Sequence, residues 1–370
     1  MKMFSFNRSK PDYVILVCFW FLVVIGFVAL ASASSHVGAT EYEDSYFFLK
    51  SQLLKGLLPG LIAFLFLGKF LNYRFFKKRW VSVSLLVATI ALAALVFTPL
   101  GVTVKGATRW LDLGIQFQPA EFLKFSLVVY LASWLSGVSN RQTNFAQGFV
   151  PFSIVIGSIA AVLLAQNSTS PVAILIAVSL LMYFMSGAKT KYVAGVLLVG
   201  ALAIAAMIVV TPYRAQRVLA FLTPEADPTG AGYHILQAKT AIGAGGLGGV
   251  GFGQSSVKYV LPEPIGDSIF AVYAEEFGFV GVLVLLGLFL FLILRMFLLS
   301  RRAPDRFGSL LLIGFGSLIA IQVITNVGAM SGVLPLTGTP LPFISHGGTQ
   351  LFVYMAIMGV VVNISRYVSD

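Results

Sequence analysis

The sequence predicts an all-α polytopic membrane protein of about ten transmembrane helices, with N- and C-termini cytoplasmic and a large extracytoplasmic loop between helices 7 and 8. Composition excludes a soluble domain: 58% of the 370 residues are hydrophobic and 11% charged, with mean hydropathy +0.91, whereas a soluble chain carries about twice that share of charge. Apolar runs of the roughly 20 residues needed to cross a bilayer recur along the chain. Lys and Arg gather in alternate short loops, the pattern of cytoplasmic loops. That pattern accounts for the net charge of +11 without a nucleic-acid partner.

The first apolar run, near 12–34, follows Lys2, Arg8 and Lys10. It exceeds the apolar core of a cleaved signal and reads as a retained first helix. Cys18 within it reads as a small buried hydrophobe, and a lone cysteine builds neither a disulfide nor a cysteine metal site. Further runs lie near 48–68, 80–98, 119–137, 147–165, 171–187, 191–211, 267–298, 306–331 and 347–367. Only residues 166–171 separate the fifth run from the sixth, so one broken helix is an alternative there.

Cations in the loops set the orientation. Lys69, Arg74, Lys77, Lys78 and Arg79, then Arg141, Lys189, Lys191, Arg301, Arg302, Arg306 and Arg366, fall on the side of the N-terminus, which is therefore cytoplasmic. Glu41, Glu43, Asp44, Asp112, Glu225, Asp227 and Glu263 fall opposite. No internal repeat or low-complexity linker divides the chain, so residues 1–370 are read as a single domain with an outer loop over 212–266.

Three outer loops are unusual. Residues 98–119 are too polar for a span and too apolar for a plain linker, 212–266 form the longest loop and are rich in Gly and Pro, and 334–348 carry repeated Pro that forbids a regular helix. Irregular backbone at membrane depth has to be buried in protein or line a wet cavity.

Asp267 stands where the second of these loops enters an apolar helix, and a carboxylate there needs a partner, water or a chemical task. Glu121 and Lys124, three apart at the start of the fourth run, share a helix face. They read either as a structural ion pair or as a pair lining the cavity of Asp267. Lys105 and Arg109 in the first outer loop, with Arg214, Arg217, Lys239 and Lys258 in the second, put cations on the face that should lack them. Lipid headgroups or a phosphate-bearing substrate would explain them.

Glu275 and Glu276 follow Asp267 by about two helical turns, Glu275 nearer to its face if the helix starts at Asp267, and read as buried partners for neighbouring helices. The run from Gly243 to Gly248 matches G-x-G-x-x-G, but no strand precedes it, so close backbone approach is the better explanation. His36, His234 and His346 have no metal-ligand spacing, and no serine-nucleophile motif is present.

Three stretches now resemble one family. Residues 105–124 (KGATRWLDLGIQFQPAEFLK), 230–276 (from GAGYHILQAK to FAVYAEE) and 326–349 (NVGAMSGVLPLTGTPLPFISHGGT) are similar, in order, to the SEDS proteins (shape, elongation, division and sporulation), the peptidoglycan glycosyltransferases of the FtsW and RodA type. Residues 253–258 followed by Leu-Pro-Glu-Pro look more like the division members than the elongation members.

The resemblance implies polymerisation of lipid II, a disaccharide-pentapeptide on undecaprenyl pyrophosphate, at the outer face of the cytoplasmic membrane. It makes Asp267 the general base and Glu121 and Lys124 the family's charged pair. It implies substrate contacts at Lys105, Arg109, Lys239, Lys258, Glu263, Ser345, Gly347 and Gly348. It also implies a class B penicillin-binding protein as transpeptidase partner, other divisome proteins as further partners, and a divalent cation, Mg or Mn, without a recognisable protein motif.

Gln166-Asn167-Ser168 stands where the family has Gln-Pro-Asp, and Ile265-Gly266-Asp267-Ser268 replaces His-Thr-Asp-Phe. A lipid II flippase, a scaffold that recruits a transpeptidase, and an elongation-type polymerase that sets cell shape are the rival readings.

Overall fold

The computed structural model describes residues 10–104, 107–137, 141–210, 215, 219–226 and 230–368. A helix occupies each of the ten expected runs: α1 (Tyr13–Tyr42), α2 (Phe47–Phe70), α3 (Arg79–Phe97), α4 (Pro119–Gly137), α5 (Phe145–Ala165), α6 (Thr169–Met185), α7 (Thr190–Val210), α9 (Ile269–Arg301), α10 (Arg306–Met330) and α11 (Gly348–Ser365). Seven of them are long and apolar enough to cross a membrane. The fifth and sixth runs are two helices, because Asn167 turns the chain with φ 56° between them.

One expectation is corrected. The chain is not all-α: residues 98–118 contain a small antiparallel sheet, β1 (Gly101–Val104), β2 (Ala107–Asp112) and β3 (Gln116–Phe117), in the order β1-β2-β3. Val102, Val104, Thr108 and Trp110 are residues that favour a pleated, half-buried surface, and Leu111 anchors the sheet with no exposed surface. The long loop holds a helix of its own, α8 (Ala231–Ala244).

Helices α10 and α11 form the centre, with 78% and 89% of their apolar windows buried in protein, against 28% for α9. Close packing there comes from small residues on facing helices. Gly56 lies against the Gly348 backbone and Leu351, Gly60 against the Met355 side chain, and Gly359 against the Phe64 backbone, so glycines on both helices make room for a close approach of α2 and α11. At the opposite end of the bundle the Asp305 carboxylate caps α10 through Gly308 N–H (2.8 Å). It also accepts from the Tyr73 hydroxyl (2.7 Å) and Arg74 (2.9 Å). Burial raises the Asp305 carboxyl, but these donors outweigh it and hold the group below its usual range.

Helix α9 is broken at Gly278 (φ 62°, ψ −167°) and starts at Ile269 rather than at Asp267. The two edges of the break are bridged by the glycine-rich loop. Val250 N–H donates to Glu275 O and Gly251 N–H to Glu276 O (3.0 Å each), while Phe279 N–H donates to Gly246 O (2.9 Å) and Val280 N–H to Leu247 O (3.1 Å). A Cβ on Gly245 would stand 2.2 Å from Ala274 O, and one on Gly249 2.1 Å from Glu276 O. Glycine is therefore needed for backbone-to-backbone docking.

Candidate functional site

Asp267 sits half-buried in the turn just ahead of α9. Local hydrogen bonds shape that turn. Gly266 N–H and Ser268 N–H both donate to Glu263 O (3.1 and 3.3 Å), with Glu263 itself at φ 53°. Ser268 donates its hydroxyl proton to Pro262 O (2.7 Å). Its oxygen, 2.6 Å from His234 Nε2 of α8, therefore accepts from that ring nitrogen.

The proline-rich segment 331–347 closes over the same turn. Ser345 donates to Gly266 O (2.6 Å) and accepts from Leu341 N–H (2.8 Å), and His346 N–H donates to Ile265 O (2.9 Å). Gly338 faces the aspartate: a Cβ there would lie 3.7 Å from Asp267 Oδ2. On α10, Asn326 Nδ2 donates to both Asp267 O and Thr339 O (2.7 Å each).

The Glu121–Lys124 pair lies beneath this segment. Lys124 Nζ reaches Glu121 Oε1 at 2.6 Å and Gln322 Oε1 at 3.0 Å, and Gln322 Nε2 donates to Pro340 O (2.8 Å). Both charges are buried, and Glu121 Oε2 has no hydrogen-bond partner. Desolvating a pair this completely offsets its mutual attraction, so its presence is weak evidence for stability. Gln118 N–H donates to Thr349 Oγ1 (3.3 Å), joining α4 to α11 beside the pair.

The other candidates divide. Ser345 joins the Asp267 turn but spends its hydroxyl on backbone. Gly347 donates its N–H to Gln52 Oε1 (2.9 Å), and Gly348 packs on Lys55. Lys239 of α8 lies along Gly332, where a Cβ would come within 2.1 Å of Lys239 Cε, so it borders the proline-rich segment. Arg109 Nη2 donates to Asn167 O (2.7 Å), holding β2 to the α5–α6 turn. Lys105, Arg214 and Arg217 lie outside the described residues.

Lys258 is a correction to its reading as an outward cation. It is 3% exposed, donates to Gly253 O (2.8 Å) and lies 3.9 Å from Glu276 Oε1. The tight turns after Gly253 fold its stem inward. Glu276 also accepts from Ser32 of α1, and Glu275 accepts from the Ser255 and Ser256 hydroxyls and from Ser256 and Val257 N–H. Both glutamates thus brace the loop and α1 rather than facing Asp267.

Among the described residues no group of three or more His, Cys, Asp or Glu could hold a metal. His346 is pushed down to about 4 by burial and then by Lys55, so it stays neutral near pH 7.

The family profile described as "Cell cycle protein", of the FtsW, RodA and SpoVE type, matches residues 12–370. The chain belongs to this family. It is similar along its length to the Bacillus subtilis "Stage V sporulation protein E", 35% identical with 98% of each chain covered. It is likewise similar to a Geobacter "Probable peptidoglycan glycosyltransferase FtsW", 38% identical with 96% of each covered.

Two solved structures share the fold. One is reported under "Structural coordination of polymerization and crosslinking by a peptidoglycan synthase complex", with TM-score 0.81, 29% identity, and coverage of 96% of this chain and 98% of that one. The other is the Thermus thermophilus rod shape determining protein RodA, with TM-score 0.72, 28% identity, and coverage of 97% and 98%.

Within this family fold, the residues that sequence reasoning missed are Gln322, Asn326 and His234 as partners of the site. A signal existed for the first two: Gln322 and Asn326 are amides four apart in an otherwise apolar run, where a helix puts them on one face. For His234 no spacing rule joins residue 234 to residue 268.

Proposed function

We propose that this chain polymerises lipid II into glycan strands, with Asp267 as general base and the bundle oriented so that Asp267 faces the outer side of the cytoplasmic membrane. Ten crossings with both termini inside belong to the same proposal. The observation that carries it is the convergence of the three motif stretches on one turn: Asp267 from 230–276, the proline-rich segment from 326–349, and the buried pair from 105–124, joined through Gln322 and Asn326.

In the reaction, the Asp267 carboxylate takes the proton of a sugar 4-hydroxyl as that oxygen attacks the anomeric carbon. The new C1–O4 bond forms as the C1–O bond to undecaprenyl pyrophosphate breaks. The pyrophosphate leaves with the bonding electron pair, and the configuration at C1 inverts. An activated leaving group of this kind needs no second carboxylic acid to protonate it.

Lys239, which borders the proline-rich segment, is a proposed partner of the diphosphate, together with Arg109 and Lys105. Lys258 is not among them. The described residues do not fit a protein-built metal site, so no step runs through a metal. A divalent cation, Mg or Mn, held by the diphosphate oxygens is part of the proposal.

The names of the relatives support glycosyl transfer, and the Geobacter relative and residues 253–258 support a role in septal wall synthesis. The complex among the structural neighbours supports a class B penicillin-binding protein as partner.

The test is polymerisation of purified lipid II by the chain in the presence of its transpeptidase partner. Asp267→Asn abolishes strand formation with expression unchanged. Wild-type rates in that variant would remove the base and return the chain to the flippase or scaffold reading.

A further inference from the structure

We propose that Gln322 and Asn326, one turn apart on α10, are positioning residues for glycosyl transfer: they lock Asp267 and the proline-rich segment into one unit and fasten that unit to the buried Glu121–Lys124 pair. The proposal rests on Asp267 as the base.

Neither amide can turn over. Gln322 Oε1 accepts from Lys124 Nζ (3.0 Å) and from the Tyr354 hydroxyl (2.6 Å). With two donors on its oxygen, the amide nitrogen must face the other way, where Pro340 O accepts from it at 2.8 Å. A flipped amide would aim N–H groups at an ammonium and an oxygen at a carbonyl. Asn326 is fixed as firmly, because both of its Nδ2 bonds end on carbonyl oxygens, those of Asp267 and Thr339.

Thr339 and Pro340 are consecutive, so the two amides grip two successive peptide units from the same helix face. The path runs Lys124, Gln322, Pro340, Thr339, Asn326, Asp267. Gln322 and Asn326 are fully buried, which leaves water no route to replace a lost bond. Asn326 Oδ1 is buried with no hydrogen-bond partner. Such an unmet acceptor is costly, so an apolar residue at 326 would relieve one cost while removing two bonds. A device of this composition holds a backbone in place more than it adds stability.

Placement matters because a general base works only within hydrogen-bond reach of the proton it takes, and a displacement of about 1 Å in a reacting group costs on the order of 100-fold in rate. The Glu121–Lys124 pair thereby acts on Asp267 at a distance, through two neutral amides.

The experiment measures lipid II polymerisation by the full chain with its transpeptidase partner for Gln322→Met, Lys124→Met, the double variant and Asn326→Leu. Each single change is expected to lower kcat about 10- to 100-fold with KM within about twofold. The double variant is expected to be no slower than the worse single by more than about threefold, since both changes cut one path. A double loss equal to the product of the single losses, or losses confined to KM, would overturn the proposal.

Asn326→Asp gives a readout that a structural role would not move. Buried between the carbonyl oxygens of Asp267 and Thr339, the new carboxyl keeps one of the two bonds only while it is protonated, so activity per folded molecule is expected to fall relative to wild type as pH rises; a pH–rate profile parallel to wild type counts against the proposal.

Should any variant lose its fold, hydrogen–deuterium exchange on Lys124→Met supplies the answer: faster exchange in 331–347 and 263–268 supports the path, and wild-type exchange in both overturns it. Asp267→Asn, run alongside, separates the two questions. Activity in that variant removes the base assignment, whereas the exchange result still reports whether the path exists.

Discussion

Gly249 and Gly278 meet backbone to backbone: a Cβ on Gly278 would lie 2.3 Å from the Gly249 nitrogen. The contact fills the break in α9 with four hydrogen bonds from the glycine-rich loop. The segment 269–277 that follows Asp267 is thereby held by the loop rather than by the rest of its own helix. A broken helix is tolerated at membrane depth only when its freed backbone groups find partners, and here they do.

Replacing Gly278 with Ala is expected to destabilise the protein by about 3 kcal/mol or more, since φ 62° with ψ −167° belongs to glycine and the new methyl group meets backbone. Gly287 has nothing within 4 Å of its added Cβ, so Gly287→Ala should be neutral or slightly stabilising. Thermal melting of the two variants in one detergent compares them directly.

Lys258→Met leaves Glu276 buried without its cation. A loss of about 3 kcal/mol is expected, as when one partner of a buried pair is removed, and Lys258→Met with Glu276→Gln should regain most of it. Activity per folded molecule should stay near wild type in the double variant; a selective rise in KM would restore Lys258 to the diphosphate.

Tyr73→Phe deletes one donor to Asp305 at the far end of the bundle from Asp267. About 1.5–3 kcal/mol of stability should be lost, the range for a hydrogen bond to a charged group, with polymerisation unchanged. A fall in kcat without a fall in melting temperature would show that the two ends are coupled.

Stability should also depend on His346. Its folded value, about 4, lies below the ordinary 6.5, so the unfolded chain binds a proton that the folded chain refuses. The protein therefore loses stability as pH falls from 6.5 toward 4, by about 3 kcal/mol in full, and gains nothing further above about pH 7. Melting temperatures recorded across pH 4.5–8 should show this slope in the wild type and a flatter one in His346→Gln.

The ten apolar runs and the oddness of the loops over 98–119, 212–266 and 334–348 were legible because each is a local property: run length and the density of Pro and Gly. The position of Asp267 at a helix mouth was legible for the same reason. Its surroundings were not. Glu275 and Glu276 were legible as buried partners, and so they are, but which groups they serve, Ser32 of α1 and the serines of the glycine loop, was not. Lys258 looked like an outer cation because its charge is visible in the sequence and the fold of its loop is not. The sheet over 101–117 was hidden by strands too short to show a period.

The sequence alone therefore determined the class of protein, the apolar runs that form long helices, and the carboxylate most in need of a task, since these follow from burying apolar surface and from the cost of a charge in lipid. Only the tertiary structure decided which polar side chains serve that carboxylate. Asp267, Asn326, Thr339, Pro340, Gln322 and Lys124 come from three distant stretches, and hydrogen bonds join them only once α4, α10 and the proline-rich segment are packed together. Bonds between residues up to about 200 apart in the chain leave no period in the sequence to read.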